Sequence, residues 1–251
     1  IKKTVLELGG SDPFVVLDDA DLAAAAATAV RSRFQNGGQS CIAAKRFIVV
    51  ASVAEEFERR FVEGIRKLEV GDPTDRSVDV GPLARADLRD TVDRQVRDSV
   101  AQGARVVLGG APRPGRGYFY QPTLVLSPGE RSLSELPVWR EEVFGPVAVL
   151  VRAKDTDAAI ALANDTIYGL GANLWTRDFA RAQVLASRIE AGSVFINGMV
   201  ASDPRLPFGG VKQSGYGREL SDFGIHEFVN IQTVWVGDGD AHVSTPSAGG
   251  E

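Results

Sequence analysis

Cys41 is the only cysteine among 251 residues, and it closes the segment Phe34-Gln35-Asn36-Gly37-Gly38-Gln39-Ser40-Cys41. A lone sulfur makes no disulfide within the chain and cannot lead a thiolate metal site. Two readings remain, a small buried hydrophobe or a reactive thiolate. The small, polar, hydrogen-bonding residues before Cys41 favour the thiolate, because a core cysteine normally lies in an apolar run. A free thiol titrates near about 8.5 and needs help to ionise. Histidine is the usual helper, yet the chain holds only His226 and His242. His226 lies in Gly-Ile-His-Glu with no Asn or Asp arranged as a triad, which argues against a Cys-His protease.

Glu7 is the other candidate base. It stands in an apolar, strand-like segment just before Gly9-Gly10. A carboxylate there is costly unless it faces a cleft or is hydrogen-bonded. In a cleft, desolvation raises its pKa toward the range of a general base; the plainer reading is a turn residue. A third cluster, Glu141-Glu142-Val143-Phe144-Gly145-Pro146, is either a solvated loop or a carboxylate for ribose hydroxyls beside a ring for a flat heterocycle. The fourth, Leu206-Pro207-Phe208-Gly209-Gly210-Val211-Lys212-Gln213-Ser214-Gly215, has too many glycines for an element interior. Such a loop brings backbone close to another surface or caps a pocket.

The elements that must position these groups follow from the pattern. Asp18-Asp19-Ala20-Asp21 supplies cap and first-turn acids for an Ala-rich helix over 22–34. Arg46–Val50 is a buried strand. Ser52-Val53-Ala54-Glu55 has the form of a capping box opening a helix to about Leu68, with Phe57, Phe61, Ile65 and Leu68 at helical spacing. Further helices are expected over 84–102, 155–164 and 179–191, the last capped by Gly192. Strands are expected over 105–108, 118–126, 147–151, 171–175, 193–197 and 228–236. Strands alternating with amphipathic helices predict an α/β fold with a mostly parallel, twisted sheet flanked by helices. From Gly237 onward large apolar residues are nearly absent, so a disordered tail is expected over 237–251.

Bulk properties narrow the partners. A net charge of −5 argues against nucleic acid or an anionic membrane surface. No apolar run reaches the ~20 residues of a membrane span. The lone cysteine fits a reducing compartment, so a cytoplasmic location is expected. The chain has no initiator Met and opens on what reads as a strand under way, so it reads as part of something longer.

Taken in order, Leu6-Glu7-Leu8-Gly9-Gly10, Asn36-Gly37-Gly38-Gln39-Ser40-Cys41, Glu142-Val143-Phe144-Gly145-Pro146 and Pro207-Phe208-Gly209-Gly210 closely resemble the aldehyde dehydrogenase superfamily. Tyr168-Gly169-Leu170-Gly171 and Trp175-Thr176-Arg177-Asp178 match too, as does the 34-residue interval from Glu7 to Cys41. The resemblance covers about residues 1–236. It implies NAD or NADP as cofactor, a small aldehyde as substrate and no metal. By the same resemblance Cys41 is the nucleophile, Glu7 activates the hydrolytic water, and the Cys41 N–H forms half of an oxyanion hole. Glu142 would hold the nicotinamide ribose, Phe144 would pack beside the nicotinamide, and the Leu8 carbonyl would meet its carboxamide.

The division implied is residues 1–10 as the end of a dinucleotide-binding domain that is otherwise largely absent, 11–217 as the catalytic domain, and 218–236 as a helix and strand used for homo-oligomerisation. Within the superfamily, residues 37–47 and 202–208 look most like bacterial succinate-semialdehyde dehydrogenases. Ser202 and Arg205 are then candidates for the distal carboxylate, each able to donate to its oxygens, with Phe208 lining the tunnel. The alternative for Arg205 is a pair with Asp203 or Glu219. Gln35 stands where some such enzymes carry an arginine, which leaves another semialdehyde, or an aliphatic or aromatic aldehyde, as the alternative substrate. A catalytically silent oligomerisation domain is the reading from a different class.

Overall fold

A computed structural model describes residues 2–237. Its centre is a seven-stranded sheet. In chain order the sheet strands are β2 (Pro13–Val16), β3 (Arg46–Val50), β4 (Arg105–Leu108), β5 (Thr123–Leu126), β6 (Val147–Ala153), β7 (Gly171–Trp175) and β8 (Ser193–Ile196). Their spatial order is β4-β5-β6-β3-β2-β7-β8, parallel throughout except that edge strand β4 runs antiparallel to β5. A separate two-stranded ribbon pairs β1 (Leu6–Glu7) with β9 (Gly215–Tyr216).

The central strands are apolar on both faces because both faces are covered. Phe14, Val16, Phe47 and Val49 enter one core, while Val15, Leu17, Ile48 and Val50 enter the other. This is the period-two alternation of a strand, with each register serving its own layer. The first core is aromatic: Phe47 lies 5.3 Å from Phe14 and 4.7 Å from Phe61, ring centre to ring centre. Phe57, Phe61 and Ile65 come from α2 (Ala51–Arg66), buried at four-residue steps. That helix packs on α1 (Leu22–Phe34). Asp21 caps α1 by accepting from the Ala23 and Ala24 N–H groups. The remaining helices are α3 (Ala86–Ala101), α4 (Pro137–Arg140), α5 (Thr156–Asn164), α6 (Phe179–Ala186) and α7 (Ser221–Glu227).

Several expectations are corrected. The capping box over Ser52–Glu55 does not form: α2 starts two residues earlier, directly off β3, with Val50 at the cap in place of Ser52 and no side-chain capping bond. It ends at Arg66 rather than Leu68. Helix α6 stops at Ala186, so Gly192 caps nothing; its N–H instead donates to Gly169 O at 3.0 Å as the chain enters β8. Only Thr123–Leu126 of the expected 118–126 strand is strand, with Tyr120 in an isolated bridge to Pro112. Residues 228–236 form no strand among the described residues. Ile231, Val234, Trp235 and Val236 are exposed there, and among the described residues no strand pairs with them. The expected tail lies, from residue 238 on, outside the described residues.

Candidate active site

Cys41 follows α1 through a sharp reversal. After Phe34 a short 3₁₀ turn spans Gln35–Gly38, in which Asn36, Gly37 and Gly38 take left-handed φ values of 50°, 62° and 76°. Gly38 is required there twice over. Its φ disfavours a side chain, and a Cβ would land on the Gly145 carbonyl and the Arg33 guanidinium. The chain then turns again, Ala43 N–H donating to Ser40 O at 3.2 Å, and presents Cys41 half-buried.

Glu7 is held by the ribbon. Leu6 pairs with Tyr216 and Glu7 with Gly215, and the Leu8 N–H donates to Ser214 O at 3.0 Å. Gly215 approaches Leu6 so closely that any Cβ would collide with the Leu6 carbonyl. This is the close backbone approach that the glycine-rich loop implied. The same loop joins Phe208 to Glu219 in an antiparallel bridge. Glu7 is part-buried, with Oε1 sealed from solvent and without a hydrogen-bond partner. Its pKa is raised, first by desolvation and then by the charge of Glu219.

Glu142 closes the cluster. Its Oε1 accepts the Gly10 N–H at 3.1 Å, and the Lys45 Nζ lies 3.9 Å away. A Cβ on Gly9, whose φ is +100°, would fall 2.5 Å from Glu142 Oε2, and one on Gly10 would fall 3.0 Å from the Cys41 carbonyl oxygen. The Gly9-Gly10 pair thus lies against the Glu142 carboxylate on one side and the Cys41 loop on the other. Burial raises the Cys41 pKa; Lys45 opposes that rise, while Asp12 and Glu7 add to it.

The family model for the aldehyde dehydrogenase family matches residues 1–234. The chain belongs to the aldehyde dehydrogenase family. It is 55% identical over 244 residues to a succinate-semialdehyde dehydrogenase (NADP(+)) of Mycobacterium avium, covering 96% of this chain and 51% of that protein. A succinate semialdehyde dehydrogenase (NAD(P)+) of Escherichia coli is 53% identical over 235 residues, covering 94% and 50%. The solved succinic semialdehyde dehydrogenase of Streptococcus pyogenes in complex with NADP+ superposes with a TM-score of 0.88 at 37% identity, covering 93% of this chain and 50% of that one. The chain therefore spans about half the length of the curated relatives it matches.

Among the expected site residues of this family member, Cys41, Glu7, Leu8 and Glu142 come together as described. Phe144 is part-buried two residues beyond Glu142, and Leu8 is exposed with no backbone bond to its carbonyl. Gln35 lines a cavity of about 250 Å³ with Arg31, Phe34 and Met199. Ser202 and Arg205 are exposed. The Arg205 guanidinium is bound by Asp203 at 2.9 Å and 2.6 Å, which is the ion-pair alternative for this residue. The metal expectation stays open: among the described residues no His, Cys, Asp and Glu cluster has a metal-ligand arrangement.

Sequence reasoning missed the buried charges beneath the site. Arg33 is wholly buried and donates to the carbonyls of Ala44 at 3.0 Å, Gly38 at 2.7 Å and Gly145 at 2.8 Å. It ties the Cys41 loop to the Glu142–Gly145 segment. Arg46 reaches Ser11 O, Leu162 O and Ala163 O, each within 2.9 Å. Asp12, also buried, accepts the Gly171 N–H with Oδ1 and leaves Oδ2 unpartnered. One signal was available: Lys45-Arg46 interrupts an otherwise apolar run from Ile42 to Val50 with no adjacent acid.

Proposed function

We propose that this chain carries the catalytic half of an NAD(P)-dependent aldehyde dehydrogenase acting on succinate semialdehyde. The observation that carries the reading is the placement of Gly9-Gly10 between the Cys41 carbonyl and the Glu142 carboxylate. Three separate motifs converge there around one reactive sulfur. Residues 11–217 form the catalytic unit in this reading, and residues 218–236 serve assembly of like subunits.

The residues fit the nicotinamide-ribose end of the cofactor. Glu142 uses Oε1 on Gly10 and leaves Oε2 beside a glycine with no side chain. That oxygen would accept ribose hydroxyls, the free Leu8 carbonyl would accept the carboxamide, and the Phe144 ring would flank the heterocycle. When bound, NAD(P) supplies the hydride acceptor that carries a Cys41 thiohemiacetal to a thioester.

The chain's own groups do the rest. The Cys41 thiolate adds to the aldehyde carbon, and its N–H supports the developing oxyanion. Glu7, in its carboxylate form, takes the proton of a water that attacks the thioester carbonyl. The acid departs and the thiolate is restored. A sulfur suits both steps, being a good nucleophile and a good leaving group. Names of the relatives support succinate semialdehyde, with NADP(+) in one and NAD(P)+ in the other.

The test is substrate-dependent reduction of NADP+ by a polypeptide pairing this chain with the rest of the family's length. Succinate semialdehyde should be oxidised more efficiently than butanal, and C41S should abolish both. Equal use of the two aldehydes would remove the semialdehyde assignment. The 251-residue chain by itself is expected to turn over weakly or not at all.

A further inference from the structure

Lys45 is 1% exposed at the side chain, and its ammonium is committed to the turn that presents the nucleophile. Nζ donates to Cys41 O at 2.9 Å, Ala43 O at 3.0 Å and Ser40 O at 3.3 Å. Three carbonyls match the three donors of an ammonium. Glu142 Oε1, at 3.9 Å, is then a charge neighbour rather than a fourth hydrogen bond. A buried ammonium costs several kcal/mol unless its charge is answered, so a cation here is an expensive way merely to fill space. Around Lys45 stand Arg33, which opposes its charge, and Asp12, Glu142 and Cys41, which favour it. Facing Cys41 are Lys45 and the two carboxylates Asp12 and Glu7.

We propose that Lys45 is a positioning residue for Cys41, fixing the Ser40–Ala43 turn through its carbonyls and supplying the positive charge that offsets burial of the thiolate. Both neighbouring carboxylates push the other way, so the cation decides how far the sulfur ionises near neutrality. Burial and the Arg33 charge pull the Lys45 pKa down, while Asp12, Glu142 and Cys41 hold it up. A charged ammonium beside the sulfur favours the thiolate, so removing its charge moves thiol ionisation to higher pH. The assignment rests on reading Cys41 as the nucleophile, but a thiol titration needs neither aldehyde nor cofactor, so its failure is separable from loss of turnover.

Because Cys41 is the sole cysteine, iodoacetamide alkylation of the 251-residue chain reports it alone. The rate is measured against pH for wild type, K45Q and K45R, each checked for a cooperative melt. K45Q should raise the midpoint by about one pH unit or more, the scale of a lost neighbouring charge, and K45R should keep the wild-type midpoint. A brace without electrostatic effect would lower stability or the plateau rate and leave the midpoint in place. A folded K45Q with the wild-type midpoint, or K45R rising as far as K45Q, overturns the proposal. Should K45Q not melt cooperatively, K45M decides: a raised midpoint supports the proposal and a wild-type one sinks it.

Discussion

The Arg33 guanidinium donates to the Gly145 carbonyl at 2.8 Å across 112 residues of chain. The same nitrogen reaches Gly38 O at 2.7 Å, so one buried cation joins the loop before Cys41 to the segment after Glu142. The two halves of the site are set by a single side chain that touches neither reacting group.

Replacing Arg33 therefore leaves buried carbonyls without donors. R33M should cost about 3–5 kcal/mol, because several buried carbonyls lose a charged donor at about 1–3 kcal/mol each. R33K should recover little, because an ammonium lacks the planar fork that reaches Ala44 and Gly145 together. Urea denaturation of the three proteins gives the comparison, and an R33K equal to wild type would be inconsistent with this bracing role.

Gly38→Ala should destabilise the Cys41 loop specifically. The added carbon meets the Gly145 carbonyl at a backbone φ that already disfavours it. A loss of at least about 1–3 kcal/mol is expected from strain of this kind, together with altered alkylation of Cys41. Gly115→Ala, at an equally left-handed but open position, is the control: it carries the strain of the backbone without the collision and should leave Cys41 alkylation unchanged.

Asp12 gives the fold a pH signature. Burial raises its pKa from the ordinary 3.8 to about 6, against the opposing pull of Lys45, Gly171 N–H and Arg46. A raised folded pKa contributes stability that is full below pH 4 and lost as pH rises through 6. The difference corresponds to about 3 kcal/mol. Across that window wild type should lose stability relative to D12N by an amount of this order, read from denaturant midpoints at pH 4 and pH 7. Parallel curves would show that Asp12 ionises as freely in the fold as out of it.

The sheet was readable where burial and period agree. Arg46–Val50, Arg105–Leu108 and Gly171–Trp175 have the bounds expected from their apolar runs. Element ends were less legible because they depend on contacts distant in sequence. Ser52 and Glu55 have the letters of a capping box, yet the chain leaves β3 already turning into α2, and the cap passes to Val50. Residues 228–236 have a strand's composition, but a strand exists only against a partner. Within the site, Cys41, Glu7 and Glu142 announced themselves as reactive types beside glycines. Arg33 did not, because what it serves is main-chain carbonyls, and those carry no sequence signal; Lys45 showed only as a charge interrupting an apolar run.

The central claim is a division of labour between Cys41 and Glu7, and it has a direct kinetic test. Glu7→Gln removes the carboxylate proposed to activate water and leaves the sulfur in place. In a polypeptide of full family length, E7Q given succinate semialdehyde and NADP+ should release one equivalent of reduced nucleotide per site in a burst. It should then stall, with a succinyl group found by mass spectrometry on the Cys41 peptide. Steady turnover by E7Q near the wild-type rate, with no acyl adduct on Cys41, would contradict the account.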